Sequence, residues 1–134
     1  MKVAELTGSM LDYWVAKIEG LEIELGRDGK FHGSICEESG EDWYHFSPST
    51  EWHQGGPIIA RENIQLGPPT QRVHRNGGPH AGWGESGIWS ACTWHNGANG
   101  RRSIAHHENS PLIAAMRCFV ASKYGAEVPE AIAA

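Results

Sequence analysis

Residues 110–125 read SPLIAAMRCFVASKYG and have the pattern of an amphipathic helix. Ser110 is a residue type that caps helices, and Pro111 suits the first helical position, where no backbone N–H is needed. Gly125 is placed to end the helix. The apolar positions recur at helical spacing and form one stripe: Leu112, Ile113, Met116, Phe119 and Val120. The stretch therefore predicts a helix that packs one side on the rest of the chain.

A second helix is predicted over Gly8 to Glu19, after a cap at Thr7. Leu6 and Leu11 are spaced for a hydrophobic staple, and Gly20 suits the left-handed residue at the end. The apolar residues again fall at helical spacing: Leu11, Trp14, Val15 and Ile18.

Short antiparallel strands are predicted between the two helices. Apolar residues alternate with glutamates over 21–25, and Asp28-Gly29 makes a turn before a return strand from Phe31 to Cys36. A second pair is predicted from Ile88–Trp94 and Arg102–His106. We expect an α+β fold: one domain over 1–134, with the two terminal helices packed on one face of an antiparallel sheet.

The middle of the chain gives weaker signals. Ser49 or Thr50 is placed to cap a short turn, and Pro57 suits the first position of another helix, with Gly55-Gly56 separating the two. We expect the isoleucines that follow to be buried: Ile58, Ile59 and Ile64. Residues 67–109 are rich in Gly, His, Trp and Arg, and 72–87 lack periodicity, which predicts a long loop there.

Composition excludes several classes of protein. The chain has 134 residues, 40% of them hydrophobic and 20% charged, which fits one folded domain and excludes disorder throughout. A net charge of −5 argues against duplex DNA as a partner, because that affinity comes from neutralising phosphates. No apolar run is long enough to cross a membrane, and three cysteines fit a reducing compartment. We expect a cytoplasmic protein.

Several stretches together resemble one family. They are Leu6-Thr7-Gly8, LDYWVA (11–16), SPST (47–50), Trp52, QGGPII (54–59), PLIAAMR (111–117) and VASK (120–123). In this order they resemble the NinX-like family of small proteins of tailed bacteriophages and prophages. The resemblance brings no catalytic residues with it. It implies a phage accessory protein that acts in the cytoplasm of a bacterial host.

The best candidate for a ligand contact is the segment that begins at Ser47. Hydroxyl groups and free backbone N–H groups at a helix start form an anion site, and a Gly-Gly pair lets a ligand approach the backbone. Alternatively, the hydroxyls only cap and the glycines only turn the chain. The predicted ligand-binding residues are Trp43, Ser47, Ser49, Thr50, Trp52, Gln54, Gly55, Gly56, Arg61 and Arg101.

Charge is segregated in the centre of the chain. Between Gln71 and His107 the acidic side chains are limited to Glu85, whereas arginines occupy positions 72, 75, 101 and 102. Tryptophan and arginine side chains stack on bases, and arginine also binds phosphate, so this mixture suits a nucleotide. An acidic surface of a partner protein would be served equally, and the same residues also fit a core with a solvated face.

Metal and catalytic signatures are weak. Cys92 and His95, with His106 and His107, do not complete a zinc pattern, since adjacent strand residues point to opposite faces. The sequence has no Gly-x-Ser-x-Gly motif, and Cys118 reads as a core residue. We therefore assign no catalytic residue, metal or cofactor.

The preferred hypothesis is a binder that is not an enzyme. It would sequester a nucleotide-derived immune signal and so counter the host's antiviral defence. The alternative is an inhibitor or adaptor that binds a host or phage protein, and a further alternative is a nucleotide-processing enzyme. A homo-oligomer is compatible with each, because a small domain often completes a pocket with a neighbouring chain.

Overall fold

The computed structural model describes residues 1–21, 23–25, 31–34, 43–79, 81–95 and 101–129, and for 23–25, 31–34, 43–45, 95 and 101 it describes the backbone alone. A 3-10 turn over Val3–Glu5 precedes the first helix. The helices are α1 (Gly8–Glu19), α2 (Trp52–Arg61) and α3 (Pro111–Tyr124). The strands are β1 (Ile23–Leu25), β2 (Phe31–Ser34), β3 (Trp43–His45), β4 (Gln65–Gly67), β5 (Arg72–Arg75), β6 (Gly82–Glu85), β7 (Trp89–His95) and β8 (Arg101–His107).

The two terminal helices have the predicted bounds. Gly20 ends α1 with a left-handed φ of 71°, although the side chain of Thr7 makes no cap hydrogen bond. At α3 the Ser110 hydroxyl oxygen accepts the N–H of Ile113 at 3.0 Å, so this cap is complete. Sequence and structure agree here because local capping and apolar spacing indicate the same element.

The sheets are antiparallel, which confirms the α+β class. The order β4-β7-β8 places Ala91 opposite Ala105, and α3 packs on this face. Helix α1 packs on α3, and β2 contacts α1 from the separate β1-β2-β3 sheet. The Thr93 hydroxyl donates to the Glu62 carbonyl at 2.8 Å, which fixes the end of α2 to β7.

The hydrophobic core lies between α3, α1 and the inner face of β7 and β8. Met116 and Phe119 of α3 are buried against Leu11 and Val15 of α1 in one cluster. Ile58 and Ile64 are buried as expected, and Ile59 is partly buried. Cys118 is fully buried, in agreement with its predicted core position.

The prediction for Pro57 is wrong, because α2 begins at Trp52 and Pro57 lies inside it. Gly55 and Gly56 are helical and do not separate two elements. The reason lies in packing: a β carbon on Gly55 would stand 2.5 Å from Leu112 Cδ1 and 2.5 Å from the Pro48 carbonyl oxygen. Close contact with α3 therefore favours a glycine where local propensity predicts a break.

The long loop predicted over 72–87 is also corrected, because β5 and β6 form an antiparallel hairpin with Arg72 opposite Glu85. On one face of this hairpin Val73 and Arg75 lie beside glycines. The sequence of these strands therefore lacks the alternation of apolar and polar residues that predicts a strand. Backbone hydrogen bonds from Ser86 to Gln71 and from Gly87 to Pro69 close its base. The turn predicted between β7 and β8 lies outside the described residues at 96–100.

Candidate functional site

The predicted anion segment uses its backbone donors within the protein. The Ser47 N–H donates to Gln54 Oε1 at 2.6 Å, and the Ser49 N–H donates to Asp12 Oδ1 at 2.9 Å. The N–H groups of Thr50 and Glu51 both donate to the Ser47 carbonyl. This turn therefore offers a ligand its exposed side chains and not these four N–H groups.

Asp12 is a buried carboxyl group that the sequence did not single out. Burial raises the pKa of Asp12 to about 6, while the hydrogen bond from the Ser49 N–H opposes this. Asp12 is 4% exposed and Ser49 is 1% exposed. The pair joins α1 to the turn before α2. Ser49, a predicted ligand-binding residue, therefore has a structural role.

Two predicted residues of α2 face the solvent. Trp52 is 52% exposed at the start of the helix. Arg61 forms ion pairs with Glu19 and Glu62, and the hydrogen bonds to these carboxylates raise the pKa of Arg61. Its guanidinium also lies 5.7 Å from the centre of the Phe119 ring. An anionic ligand at Arg61 would compete with two carboxylates of the protein itself.

The remaining predicted residues are dispersed or lie outside what is described. Gly55 is buried against α3, whereas Gly56 has open space around it. Trp43 belongs to β3 and Arg101 to the start of β8, and the side chains of both lie outside the described residues. Of the predicted set, hydrogen bonds join Ser47 to Gln54 and Thr50, whereas Trp52 and Arg61 lie at opposite ends of α2.

The central aromatic and basic residues lie on a different surface. The outer face of the sheet, opposite to α3, carries Trp94 and its register partner Arg102, whose guanidinium carbon is 5.4 Å from the indole centre. On the hairpin, Trp83 is 69% exposed and packs edge to face on His74. Because α2 packs on α3 and α3 packs on the inner face, these tryptophans are separated from Trp52 by the sheet.

A cleft of about 560 Å³ opens beside the end of β8, and it contains a buried cation. Arg117 of α3 is 8% exposed and lines this cleft. The other lining residues are Val3, Ala4, Ile88, Ile104, Ala105, His106, His107, Glu108, Asn109, Ala121 and Ala126. The lining thus combines apolar residues with five polar or charged ones, His106, His107, Glu108, Asn109 and Arg117.

The guanidinium of Arg117 is positioned by two backbone carbonyl groups. Its Nε donates to Leu6 O at 2.8 Å and its Nη1 donates to His106 O at 2.7 Å. Within the described part of the chain it forms no ion pair with a carboxylate. Burial lowers the pKa of Arg117 and the charge of Glu108 opposes this, yet a guanidinium stays protonated in proteins.

His107 is held in one tautomer at the edge of this cleft. Its Nδ1 accepts the N–H groups of Asn109 at 3.1 Å and Ser110 at 2.9 Å. An Nδ1 that accepts leaves the ring proton on Nε2, so the neutral ring presents a donor there. The same bonds order the chain where β8 leads into α3.

Arg117 is absent from the predicted site residues because it belongs to a helix whose apolar stripe predicts a core element. Residues 114–120 are all buried, and Arg117 is the charged residue within this run. A cation inside a buried helix turn was the available signal, since buried charges need a partner.

Groups of three or more possible metal ligands are absent from the described residues. In the same described ranges, none of the helices is both long and apolar enough to cross a membrane.

Comparison with known proteins gives one family. The family model described as "Bacteriophage P22, NinX" matches residues 2–123, which is most of the chain. No curated protein matches the chain.

Proposed function

We propose a function on the premise that the chain belongs to the bacteriophage P22 NinX family, as the match over residues 2–123 establishes. The protein is a phage accessory protein that binds an anionic, nucleotide-derived small molecule in the host cytoplasm and sequesters it without converting it. The cleft beside Arg117 is the binding site of this proposal.

The buried guanidinium of Arg117 is the observation that supports it. Two carbonyl oxygens hold this buried cation, and the carboxylate of Glu108 in the same lining acts on its charge but forms no described ion pair with it. A guanidinium has five N–H donors, and the bonds to Leu6 and His106 use two of them. The others are available to a phosphate, which arginine binds with two parallel hydrogen bonds.

The size and the lining of the cleft fit a nucleotide. Its volume of about 560 Å³ lies within the range of small-molecule sites. Ile88 and Ile104 supply apolar surface, and His106 and His107 also line the cleft. An apolar wall beside a cation matches a base joined to a phosphate.

Sequestration needs affinity alone, and this favours a binder over an enzyme. A phage gains from a protein that removes a nucleotide-derived immune signal, so we infer a role against host defence.

The experiment that tests the proposal is native mass spectrometry of the protein purified from phage-infected, defence-active bacteria. We expect a bound nucleotide that is released unaltered by denaturation. An empty protein with a stoichiometric host polypeptide would reject the proposal in favour of a protein inhibitor, and an altered nucleotide would indicate an enzyme.

Two variants tie the bound molecule to the cleft. Arg117→Lys keeps the charge but not the planar fork, so we expect a large loss of bound nucleotide. Ala121→Met fills the cleft without removing a polar group, which separates loss of binding from loss of folding. Lys123→Gln is the matched control, because it removes an exposed cation from the same helix, where Lys123 pairs with Glu62.

The segment from Ser47 to Arg61 remains a second candidate site. Thr50 and Trp52 are exposed there and are available to a ligand. Trp52→Ala removes the stacking surface and leaves the Arg117 cleft intact. If Trp52→Ala abolishes nucleotide binding and Arg117→Lys does not, the site belongs to this segment.

Binding to another protein is the second candidate function, and the exposed tryptophans favour it. Trp83 and Trp94 are 69% and 53% exposed, and tryptophan with arginine is the residue pair that anchors many interfaces. Affinity capture with Trp94→Ala as the comparison tests it. A host protein that is captured by the wild type and lost with Trp94→Ala supports an inhibitor or adaptor.

A further inference from the structure

A second, smaller pocket adjoins the cleft. It has a volume of about 200 Å³ and lies between the β5–β6 hairpin and the outer face of the sheet. Its lining is Gln71, Val73, Arg75, Ser86, Ile88, Ser90 and His106. Ile88 and His106 line both pockets, so the two spaces share a wall.

Arg75 supplies the second pocket with a cation of its own. Its Nη2 donates to the carbonyl oxygens of Glu85 at 3.1 Å and Ser86 at 3.4 Å. Like Arg117, it forms no ion pair with any carboxylate that the structure describes. Backbone carbonyls thus hold both guanidinium groups, one on each side of the shared wall.

Arg75 and Arg72 belong to the same strand but to opposite faces of the hairpin. Arg75 is half-buried and lines the pocket, whereas Arg72 is exposed on the face that carries Trp83. Alternation along a strand explains the difference. Arg72 therefore provides a matched cation that does not line the pocket.

From this arrangement we propose that the ligand is a nucleotide with two separated phosphate groups, one bound by Arg117 and the other by Arg75. This inference rests on the proposed function and narrows its ligand class. The shared wall of Ile88 and His106 contacts the nucleoside between the two phosphates. A ligand with a single phosphate engages Arg117 and leaves the second pocket unfilled.

Calorimetric titration with two probes tests the proposal. Adenosine 5′-monophosphate carries one phosphate, and adenosine 3′,5′-bisphosphate carries two on the same nucleoside. We expect the wild type to bind the bisphosphate at least about tenfold more tightly, since a charge-assisted hydrogen bond contributes that much or more. Arg75→Gln removes this preference, so the variant binds the bisphosphate no more tightly than the monophosphate.

The controls separate this inference from the proposed function. Arg72→Gln keeps the preference for the bisphosphate, and Arg117→Lys weakens the binding of both probes. If both probes bind with equal affinity and Arg75→Gln changes neither, the two-phosphate ligand is rejected while the proposed function stands. If neither probe binds to the wild type, the nucleotide function is rejected together with this inference. If Arg72→Gln also loses the preference for the bisphosphate, the preference comes from the general positive charge of the hairpin, and the role assigned to Arg75 is rejected.

Discussion

The Asp12 carboxylate accepts a hydrogen bond of 2.9 Å from the backbone N–H of Ser49, and both residues lie in the interior. The bond joins α1 to the turn that precedes α2, two elements 37 residues apart in sequence. The described ion pairs do not include Asp12, so its ionised form is stabilised by dipoles alone. Both partners lie in stretches that carry the family resemblance, which gives those stretches a structural role.

We predict that Asp12 makes the protein more stable in mild acid. Its pKa is about 6 in the folded protein and 3.8 ordinarily, so between these values the folded form keeps a proton that the unfolded chain releases. The stabilisation is complete below pH 4 and is lost as the pH rises through 6. Asp12→Asn keeps an acceptor oxygen but does not titrate. The free energy of unfolding of the variant should therefore lose a pH-dependent contribution of about 1–3 kcal/mol. Urea unfolding from pH 4 to 7.5 measures it, and equal pH slopes for variant and wild type would contradict it.

Gly55 and Gly56 should respond in opposite ways to alanine. Gly55→Ala places a β carbon 2.5 Å from Leu112 Cδ1, so we expect a loss of about 1–3 kcal/mol in the free energy of unfolding. Gly56→Ala meets no atom within 4 Å and should gain about 0.5–1 kcal/mol from helix propensity. Chemical denaturation of the two variants gives the comparison. A similar change for both would mean that α2 does not pack closely on α3.

The two helix caps should also differ. Ser110→Ala removes the hydroxyl that accepts the Ile113 N–H, so we expect a loss of about 1 kcal/mol in stability. Thr7→Ala removes a side chain that makes no cap hydrogen bond, and we expect a smaller effect. Thermal unfolding of both variants tests the prediction, which fails if Thr7→Ala is the more damaging change.

Cysteine alkylation should distinguish Cys92 from Cys118. Burial raises the pKa of Cys118 to about 12, and its side chain is fully inaccessible, whereas Cys92 is half-buried on the outer face. The thiolate is the reactive form, so iodoacetamide at pH 8 should modify Cys92 first. Intact mass with peptide mapping in a Cys36→Ser background follows both sites. Modification of Cys118 in the native state at the rate of Cys92 would contradict the packing of α3.

The parts of the fold that the sequence predicts are those with agreeing local signals. At α3 the cap, the proline and the apolar stripe all indicate one helix, and Ser110 and Gly125 mark its ends in the structure. The alternation in β7 and β8 likewise predicts that they pair, and the structure places Ala91 opposite Ala105. Local chemistry decides these elements before any tertiary contact forms.

Long-range packing explains what sequence reasoning missed. Gly55 is a residue type that disfavours helices, yet it lies inside α2 because Leu112 packs so close that a side chain would not fit. The β5–β6 hairpin has glycines where alternation would need apolar residues, so its strands carry no periodic signal. Arg117 belongs to a core helix by pattern, and its link to Leu6 spans 111 residues, which no local window detects.

The predicted site shows the same difference between local signals and long-range contacts. The segment from Ser47 to Arg61 holds most of the predicted ligand-binding residues, but the N–H groups of its first turn donate within the protein. The cleft at Arg117 combines residues from the N-terminal turn, β8 and α3. A cleft that joins the N-terminal turn to the β8–α3 segment, at opposite ends of the chain, leaves no contiguous motif.

The β5–β6 hairpin is inserted between β4 and β7, two strands that already pair directly, with Gly67 opposite Ser90. Its base is closed by hydrogen bonds at Gln71 and Pro69, so the sheet does not depend on the length of the insertion. Longer surface insertions cost little free energy, because closure entropy grows slowly with length. A shorter or longer hairpin would therefore leave the pairing of β4 with β7 intact.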